Sequence, residues 1–211
     1  TLDWYSRALD NPLIVTALRN TALLAAISAV GGCLMGTAFA FGVLKLRQER
    51  TRRVLLGLGL LPAVVPLLVI GVALAVFFRT LGSKPGLFNA AVGHVLISLP
   101  FVVLTLNARL ETFDFSVLEA ARDLGATPGY ALRKVIIPNV MPGVITGALL
   151  AFTLSLDDFT ISYFTTSPLV QNLSTLIYSE ARRGIKPTMN ALSAMMFVAL
   201  LLLLLLVNRR S

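Results

Sequence analysis

The stretch "EAARDLGATPGYALRKVIIP" (residues 119–138) is charged and rich in turn-forming residues, yet it lies between long uncharged apolar runs. Hydrophobic residues make up 56% of the 211-residue chain and charged residues only 13%. A soluble domain of this size could not bury that much apolar surface, so the sequence predicts a membrane protein. Residues 119–138 then belong to a folded loop between two membrane spans.

Basic residues produce the net charge of +8 and cluster beside apolar runs, as in "KLRQERTRR" (45–53) and "NRRS" (208–211). This placement is typical of loops retained on the cytoplasmic side of a membrane, and it argues against nucleic-acid binding. Cys33 is the only cysteine, which excludes a disulfide within the chain and a thiolate metal site.

Five uncharged runs are long enough to cross a bilayer as helices, for which about 20 residues suffice. They are residues 20–44, 54–78, 86–108, 141–164 and 189–207. The basic residues of 45–53 and at positions 209 and 210 place the first connection and the C-terminus inside. The connection 109–140 then also faces the cytoplasm. The outward segments are 1–19, 79–85 and 165–188, the last of which carries Arg182, Arg183 and Lys186 as a mild exception to the rule.

An outward N-terminus and an inward C-terminus require an odd number of spans. The sequence begins with threonine and shows no signal peptide. We therefore expect the last five spans of a six-span protein. The predicted fold is an all-α polytopic membrane helix bundle in which residues 1–211 form a single domain, with a cytoplasmic helix-turn-helix between the third and fourth spans.

Small residues and prolines modify the predicted spans. Gly32, Gly36 and Ala40 form a stripe along which two helices can approach closely. Prolines interrupt the second and third spans, and their freed carbonyls suggest a bundle around a pathway. These prolines are Pro62, Pro66 and Pro100. Glycine and proline are also simply common in transmembrane helices, and this alternative stays open.

The connection 109–140 has the signals of two short helices. Ser116 with Glu119 three residues later predicts a capping box, and Gly125 is placed to end the first helix in a left-handed cap. Thr127 and Pro128 predict the start of the second helix, and Pro138 its end before the next span begins near Pro142. The apolar face of the first helix consists of Val117, Leu118, Ala121 and Leu124. An amphipathic surface on the cytoplasmic side calls for a partner.

Glu119, Ala120 and Ala121, followed by Gly125 and then by Val135, Ile137 and Pro138, resemble the EAA loop (E-A-A-x3-G-x9-I-x-L-P) of ATP-binding-cassette importer permeases. Val135 and Ile137 replace the usual Ile and Leu. The resemblance implies that the first short helix docks into a groove on a separate ATPase subunit and transmits its closure to the spans. The coupling residues implied are Glu119, Ala120, Ala121, Asp123, Gly125 and Pro138. Capping alone is the local alternative for Glu119 and Gly125, and the two roles are compatible.

Three further stretches are similar to permeases of spermidine/putrescine importers, most of all to their C-type permease. They are "LPFVVLTLNARL" (99–110), "FTLSLDDFTISYFTT" (152–166) and "GIKPTMNALS" (184–193). The resemblance implies a polyamine substrate and a bacterial inner (cytoplasmic) membrane location. It implies as partners an ATPase dimer that binds ATP and Mg²⁺, a second permease subunit, and a periplasmic or lipid-anchored substrate-binding protein. No cofactor is implied for this chain itself.

Asp157 and Asp158 are the only carboxylates inside a predicted span. A carboxylate at the centre of a span costs about 2.5–3.5 kcal/mol on insertion scales, so a pair is expected to have a purpose. Adjacent helical positions point about 100° apart, which prevents the two from sharing a proton. We expect at least one to face the substrate pathway and meet the amines of a polycation. The alternative is a structural pair satisfied by Thr160, Ser162 or an arginine.

The remaining polar residues of the spans carry weaker signals. Asn107 is expected to make a hydrogen bond between helices. His94 is the only histidine, so a metal site is improbable and a packed or outward-facing ring is the default.

Three classes of function compete. No G-x4-G-K-[ST] loop is present, so an ATP-driven importer requires a separate ATPase subunit and this chain is not the enzyme. A secondary transporter usually shows internal repeats, and none is visible. An intramembrane hydrolase needs catalytic groups on facing spans, whereas the acidic pair lies on one helix. The importer permease is favoured, with a permease for another small solute as the alternative, and no catalytic residue is expected.

Overall fold

The computed structural model describes residues 3–184 and 187–208, and Lys186, Arg209 and Arg210 lie outside these described residues. Within the described ranges the regular secondary structure is helical apart from an isolated β-bridge between Ser167 and Val170. The all-α prediction is therefore confirmed. The helices are α1 Asp3–Leu9, α2 Pro12–Leu44, α3 Glu49–Val64, α4 Leu67–Thr80, α5 Leu87–Glu111, α6 Phe115–Asp123, α7 Pro128–Ala131, α8 Ile137–Asp157, α9 Thr160–Thr165, α10 Leu173–Arg183 and α11 Pro187–Asn208.

Three helical segments of the described chain are long and apolar enough to cross a membrane: α2, α5 and Pro128–Asp157. The last of these is continuous because the π-helical turn Leu132–Ile136 joins α7 to α8. Helices α3 and α4 pass the same test as a pair, although they are bent by 99°. Helix α11 coincides with the predicted fifth span, 189–207.

The second predicted span, 54–78, is broken at one proline rather than at two. Val65 adopts an extended backbone before Pro66, and α4 begins at Leu67. A residue that precedes proline is pushed out of the helical region by the proline ring, which explains the position of the break. Pro62 lies inside α3 and Pro100 inside α5, and neither ends its helix.

The fourth predicted span, 141–164, differs from the structure at both ends. Pro138 was expected to stop the preceding helix but instead lies in the first turn of α8, where a missing N–H is tolerated. The π-helical turn immediately before it absorbs the mismatch. At the other end α8 stops at Asp157, Asp158 is extended, and α9 begins at Thr160.

The described chain groups into two compact units, and the smaller comprises Thr1–Thr21 and Ser167–Ser211. In its core, residues from α1 and the start of α2 pack with residues of α10 and α11. The Thr21 hydroxyl accepts a hydrogen bond from the Leu173 N–H at 2.8 Å, and Asn172 with Thr175 forms a capping box for α10. The segment 165–188, expected only as an outward connection, therefore contains a packed helix. Residues 12–19, placed in the outward N-terminal segment, extend α2.

The larger unit comprises Ala22–Thr166, and its most extensive helix packing occurs between α5 and α8. A Cβ atom on Gly143 would lie 2.8 Å from the Arg109 side chain, and one on Gly147 would lie 3.1 Å from the Val102 Cα. Such separations are shorter than van der Waals contact, so only glycine permits this approach of two backbones. Asn107 does not bridge helices, since its amide donates to Glu111 within α5 at 2.7 Å. The expectation of an interhelical bond at Asn107 was wrong.

The predicted stripe on α2 is confirmed as a packing surface against α5. A Cβ on Gly36 would lie 2.7 Å from Val102 Cγ1, and one on Gly32 would lie 3.4 Å from Ser98 Cβ. Ala40, one further step along, is buried in the same cluster as Val102. Gly42 lies on the same helix with nothing within 4 Å of the position of a Cβ.

We expect Gly36→Ala to destabilise the protein relative to Gly42→Ala by about 1–3 kcal/mol, because overpacking against Val102 forces a shift. Both substitutions gain the same helix propensity, about 1 kcal/mol, so their difference isolates the steric term. Thermal unfolding of the detergent-solubilised protein measures it. Equal melting temperatures for the two variants would contradict the close packing of α2 on α5.

Candidate functional site

A cleft of about 420 Å³ in the larger unit lies where two helix breaks meet. The break between α3 and α4 forms one wall, the break between α8 and α9 forms another, and α5 supplies the floor. The lining residues are Pro62, Ala63, Val65, Leu67, Ile97, Phe101, Leu154, Asp157, Asp158, Phe159 and Thr160. Irregular backbone within a membrane is tolerated where it is buried in protein or lines a cavity, and both breaks meet this condition.

Asp157 is the exposed carboxylate of the cleft. It is the last residue of α8, and its side chain is accessible. Most of the surrounding lining is apolar and includes the rings of Phe101 and Phe159. A carboxylate beside aromatic rings is suited to an organic cation, since ring faces also attract positive charge.

Asp158 also contributes to the cleft wall but is only 7% exposed. Its carboxylate accepts hydrogen bonds from the backbone N–H groups of Ile161 at 3.3 Å and Ser162 at 3.0 Å. These are donors of the first turn of α9, which have no partner within the helix itself. Asp158 therefore satisfies the broken end of α9.

His94 on α5 is the basic partner of Asp158. Its Nε2 lies 3.3 Å from Asp158 Oδ2 and 2.9 Å from Ser162 Oγ, and its Nδ1 lies 2.6 Å from Ser155 Oγ. The ring is fully buried, which agrees with the packed one of the two expected positions. The structural alternative named an arginine as a partner for the acidic pair, but the basic partner of Asp158 is this histidine. The pairing of His94 with Asp158 was not predicted. A buried carboxylate demands a donor, and the only histidine of the chain was the signal that could have pointed to it.

The polar network continues to α2. Ser28 donates to the His94 carbonyl at 3.0 Å, and its hydroxyl lies 2.6 Å from that of Ser98. These serines are fully buried. Across the described residues no buried side-chain nitrogen or oxygen lacks a hydrogen-bond partner. The network thus joins α2, α5, α8 and α9 with its donors and acceptors satisfied, as a buried polar network must be to be stable.

Ser155, His94 and Asp158 have the composition of a catalytic triad, which raises the hydrolase alternative again. Here Ser155 is completely buried and does not line the cleft, so a substrate cannot reach its hydroxyl. The arrangement therefore lacks the accessible nucleophile that such chemistry requires. No group of His, Cys, Asp and Glu side chains suited to a metal ion occurs in the described part of the chain.

The connection 109–140 begins differently from the prediction. Asp114, not Ser116, caps α6, and its side chain accepts from the Ser116 N–H at 2.9 Å. Hydrogen bonds from Ser116 lower the pKa of the Asp114 carboxyl. The predicted capping box of Ser116 and Glu119 was wrong, because the helix starts one residue before Ser116 and Glu119 is no longer in its first turn. The side chain of Glu119 is exposed.

The turn between α6 and α7 was predicted correctly. Gly125 has φ 86°, and the bonds Gly125 N–H to Arg122 C=O and Ala126 N–H to Ala121 C=O form a Schellman motif. The Thr127 hydroxyl caps α7 by accepting from the Tyr130 N–H at 3.3 Å, with Pro128 in the first turn. The helix-turn-helix is therefore formed.

The predicted apolar face of α6 is largely uncovered. Leu124 is 89% exposed and Val117 49%, whereas Leu118 and Ala121 are half-buried. The other proposed coupling residues, Ala120, Asp123 and Pro138, are also exposed. The coupling surface, which we define as Val117, Glu119, Ala120, Leu124 and Gly125, is thus accessible to a partner.

Comparisons with known proteins agree with this architecture. The spermidine/putrescine transport system permease protein PotC of Escherichia coli strain K12 is 36% identical over 198 residues, covering 94% of this chain and 75% of that protein. The putrescine transport system permease protein PotI of the same strain is 31% identical over 202 residues, covering 93% and 72%. The crystal structure of an amino acid ABC transporter with histidines matches with a TM-score of 0.72 at 23% identity over 100% of both chains, a likeness of fold.

The family model for the inner membrane component of binding-protein-dependent transport systems matches residues 28–209. That range includes both helix breaks, the polar network and the whole EAA loop. The chain therefore belongs to the family of binding-protein-dependent transport system inner membrane components.

Proposed function

We propose that this permease subunit conducts polyamines such as spermidine or putrescine through the cleft between the two helix breaks, as part of an ATP-driven importer. The observation that carries the proposal is Asp157, an exposed carboxylate among the apolar and aromatic side chains of that cleft. The relatives that are named as polyamine permeases support the choice of substrate.

The chemistry of the cleft suits a flexible chain that bears ammonium groups. Asp157 offers a negative charge to one ammonium, and Phe101 and Phe159 offer ring faces and apolar surface to the methylene segments. An ammonium about 4 Å from a carboxylate gains up to about 4 kcal/mol at an effective dielectric near 20. Another small organic cation would satisfy the same groups and is the alternative substrate.

The broken helices also resemble the discontinuous helices of secondary transporters, which bind substrates at such breaks. Family membership favours the ATP-driven importer, since a component of a binding-protein-dependent system works with a separate binding protein. The break then supplies the binding position, and ATP hydrolysis on a partner supplies the energy.

We expect Asp157→Asn to lower the initial rate of spermidine uptake into proteoliposomes by about tenfold, because a loss of about 1.4 kcal/mol corresponds to one power of ten. The amide keeps the size of the side chain, so assembly with the ATPase should be unchanged. Glu49→Gln is the matched control, because Glu49 makes an exposed ion pair with Arg53, the kind that contributes little. Wild-type uptake by the Asp157 variant would exclude this carboxylate from the pathway.

We also propose that the coupling surface docks into a groove on an ATPase subunit and transmits its closure to the spans. Two features support this. The apolar side chains of Val117 and Leu124 are exposed to a degree that a covering partner would explain. Pro128–Asp157 is one continuous helical segment, so a displacement at the turn after α6 is delivered directly to the cleft at Asp157.

Gly125→Leu should uncouple ATP hydrolysis from transport. Gly125 has φ 86°, and nothing lies within 4 Å of the position of a Cβ. The substitution therefore costs about 1–3 kcal/mol in backbone strain and causes no clash. Gly129→Leu is the control, since Gly129 is helical and its Cβ position is equally open. The ratio of ATP hydrolysed to spermidine transported measures coupling in the reconstituted complex. If both variants kept the wild-type ratio, the turn would have no part in transmission.

The complex is proposed to contain an ATPase dimer, a second and different permease, and a periplasmic or lipid-anchored substrate-binding protein in the bacterial inner membrane. The similarity of this chain to importer permeases supports the set of partners. Native mass spectrometry of the detergent-solubilised complex should show two different permease chains. Two copies of this chain without another permease would refute the heterodimer.

A further inference from the structure

Asp157 and Asp158 are neighbours in the sequence but have different surroundings in the structure. Asp157 is accessible from the cleft, whereas the side chain of Asp158 is 3% exposed and that of its partner His94 is 0% exposed. A substrate ammonium can therefore approach Asp157 directly. Asp158 also borders the cleft, but its carboxylate is already engaged by His94 and by the first turn of α9, so a substrate ammonium would have to compete with these contacts.

Asp158 is held from two sides. On one side it accepts the backbone N–H groups of Ile161 and Ser162 at the start of α9. On the other side His94 Nε2 approaches Oδ2 to 3.3 Å. A buried carboxylate needs several donors to remain in place. Both the backbone donors of α9 and His94 are therefore required for a stable break between α8 and α9.

The contacts of the imidazole show which of its two nitrogens faces Asp158. Nδ1 lies 2.6 Å from Ser155 Oγ, whereas Nε2 lies 2.9 Å from Ser162 Oγ and 3.3 Å from Asp158 Oδ2. The Ser155 hydroxyl can donate a hydrogen to Nδ1, and the Asp158 carboxylate only accepts. An imidazole with its hydrogen on Nε2 accepts from Ser155 and donates toward Asp158 and Ser162, both at the α8–α9 break. The Nε2 hydrogen is thus directed to the break, and the Nδ1 side fixes the ring against α8.

We propose that His94 is a positioning residue: it holds Asp158 as the anchor of the α8–α9 break, so that Asp157 alone of the pair meets the cationic substrate. The statement that Asp157 meets a cationic substrate rests on the proposed function. The statement that His94 positions Asp158 rests on the geometry alone. His94 does not touch the cleft, and it acts through Asp158. The two adjacent carboxylates then have separate roles, one in binding and one in shaping the site.

The first test needs no substitution. The intact transporter complex in nanodiscs is treated with a water-soluble carbodiimide and glycine ethyl ester, and labelled carboxylates are located by mass spectrometry. We expect labelling of Asp157 to exceed that of Asp158 by about tenfold or more. Because the amines of spermidine also couple to an activated carboxylate, glycine ethyl ester and spermidine adducts are counted together, and we expect spermidine to lower this total at Asp157. Equal labelling of the pair, or protection of Asp158 by spermidine, would overturn the proposal. Labelling of Asp157 that spermidine does not change would overturn the proposed substrate and leave the role of His94 standing.

A pair of variants tests His94 itself. The amide of His94→Gln extends about as far as Nε2 and keeps a donor for Asp158, whereas the amide of His94→Asn extends only about as far as Nδ1. We expect His94→Gln to keep Asp158 protected from the carbodiimide and spermidine uptake within about threefold of wild type. His94→Asn should raise the labelling of Asp158 at least about fivefold and lower uptake about tenfold.

Near wild-type behaviour of His94→Gln would show that a donor at the position of Nε2 is sufficient and that histidine itself is not required. If His94→Asn failed to assemble, the labelling and uptake of His94→Gln would still decide the matter. Exposure of Asp158 in His94→Gln, or an unlabelled Asp158 in an assembled His94→Asn complex, would refute the assignment.

Discussion

The buried carboxylate of Asp158 sets the condition that the surrounding structure has to meet. A charge in a membrane interior is costly, and so is an unpaired backbone N–H at a helix break. Asp158 resolves both costs together, since it accepts from the open first turn of α9 and is paired with His94 on α5. The break between α8 and α9 is therefore a satisfied feature of the fold rather than a defect.

Close helix packing brings the partners of Asp158 within reach. Gly143 and Gly147 let α8 approach α5, which carries His94, and a Cβ on Gly93 would clash with Ile161 of α9. Without a hydrophobic driving force in lipid, van der Waals contact of this kind and hydrogen bonds between helices are the forces that remain. The small residues and the polar network thus depend on each other. The glycines set the distance of α8 and α9 from α5, and the hydrogen bonds form between helices held at that distance.

The sequence predicted the features that depend on local chemistry. Gly125 and Thr127 were assigned correctly because a left-handed cap and a side-chain cap are recognisable within a few residues. The apolar runs were found for the same reason. The cap of α6 was misplaced at Ser116 because Asp114, two residues earlier, competes for the same role and a sequence offers no means to rank them.

The features that were missed depend on contacts between distant segments. An uninterrupted span over 141–164 was expected because no proline or glycine marks Asp158, and the break is stabilised by His94, far away in the sequence. The Asn107 side chain turned to Glu111 of its own helix, which a pattern of residues cannot distinguish from a bond to a neighbour. The pattern of residues 165–188 does not predict the packed helix α10, because its polar sequence resembles that of a loop.

The two helix breaks have different physical origins, and this difference bears on how the cleft can change shape. The break at Pro66 is imposed by a covalent ring that excludes the helical backbone at Val65 whatever its neighbours do. The break at Asp158 is held by hydrogen bonds to His94, Ile161 and Ser162, which can be exchanged for others. One wall of the cleft is therefore fixed by the chain itself and the other by a network. The network-held break also lies at the far end of the helical segment Pro128–Asp157, which begins directly after the α6–α7 turn.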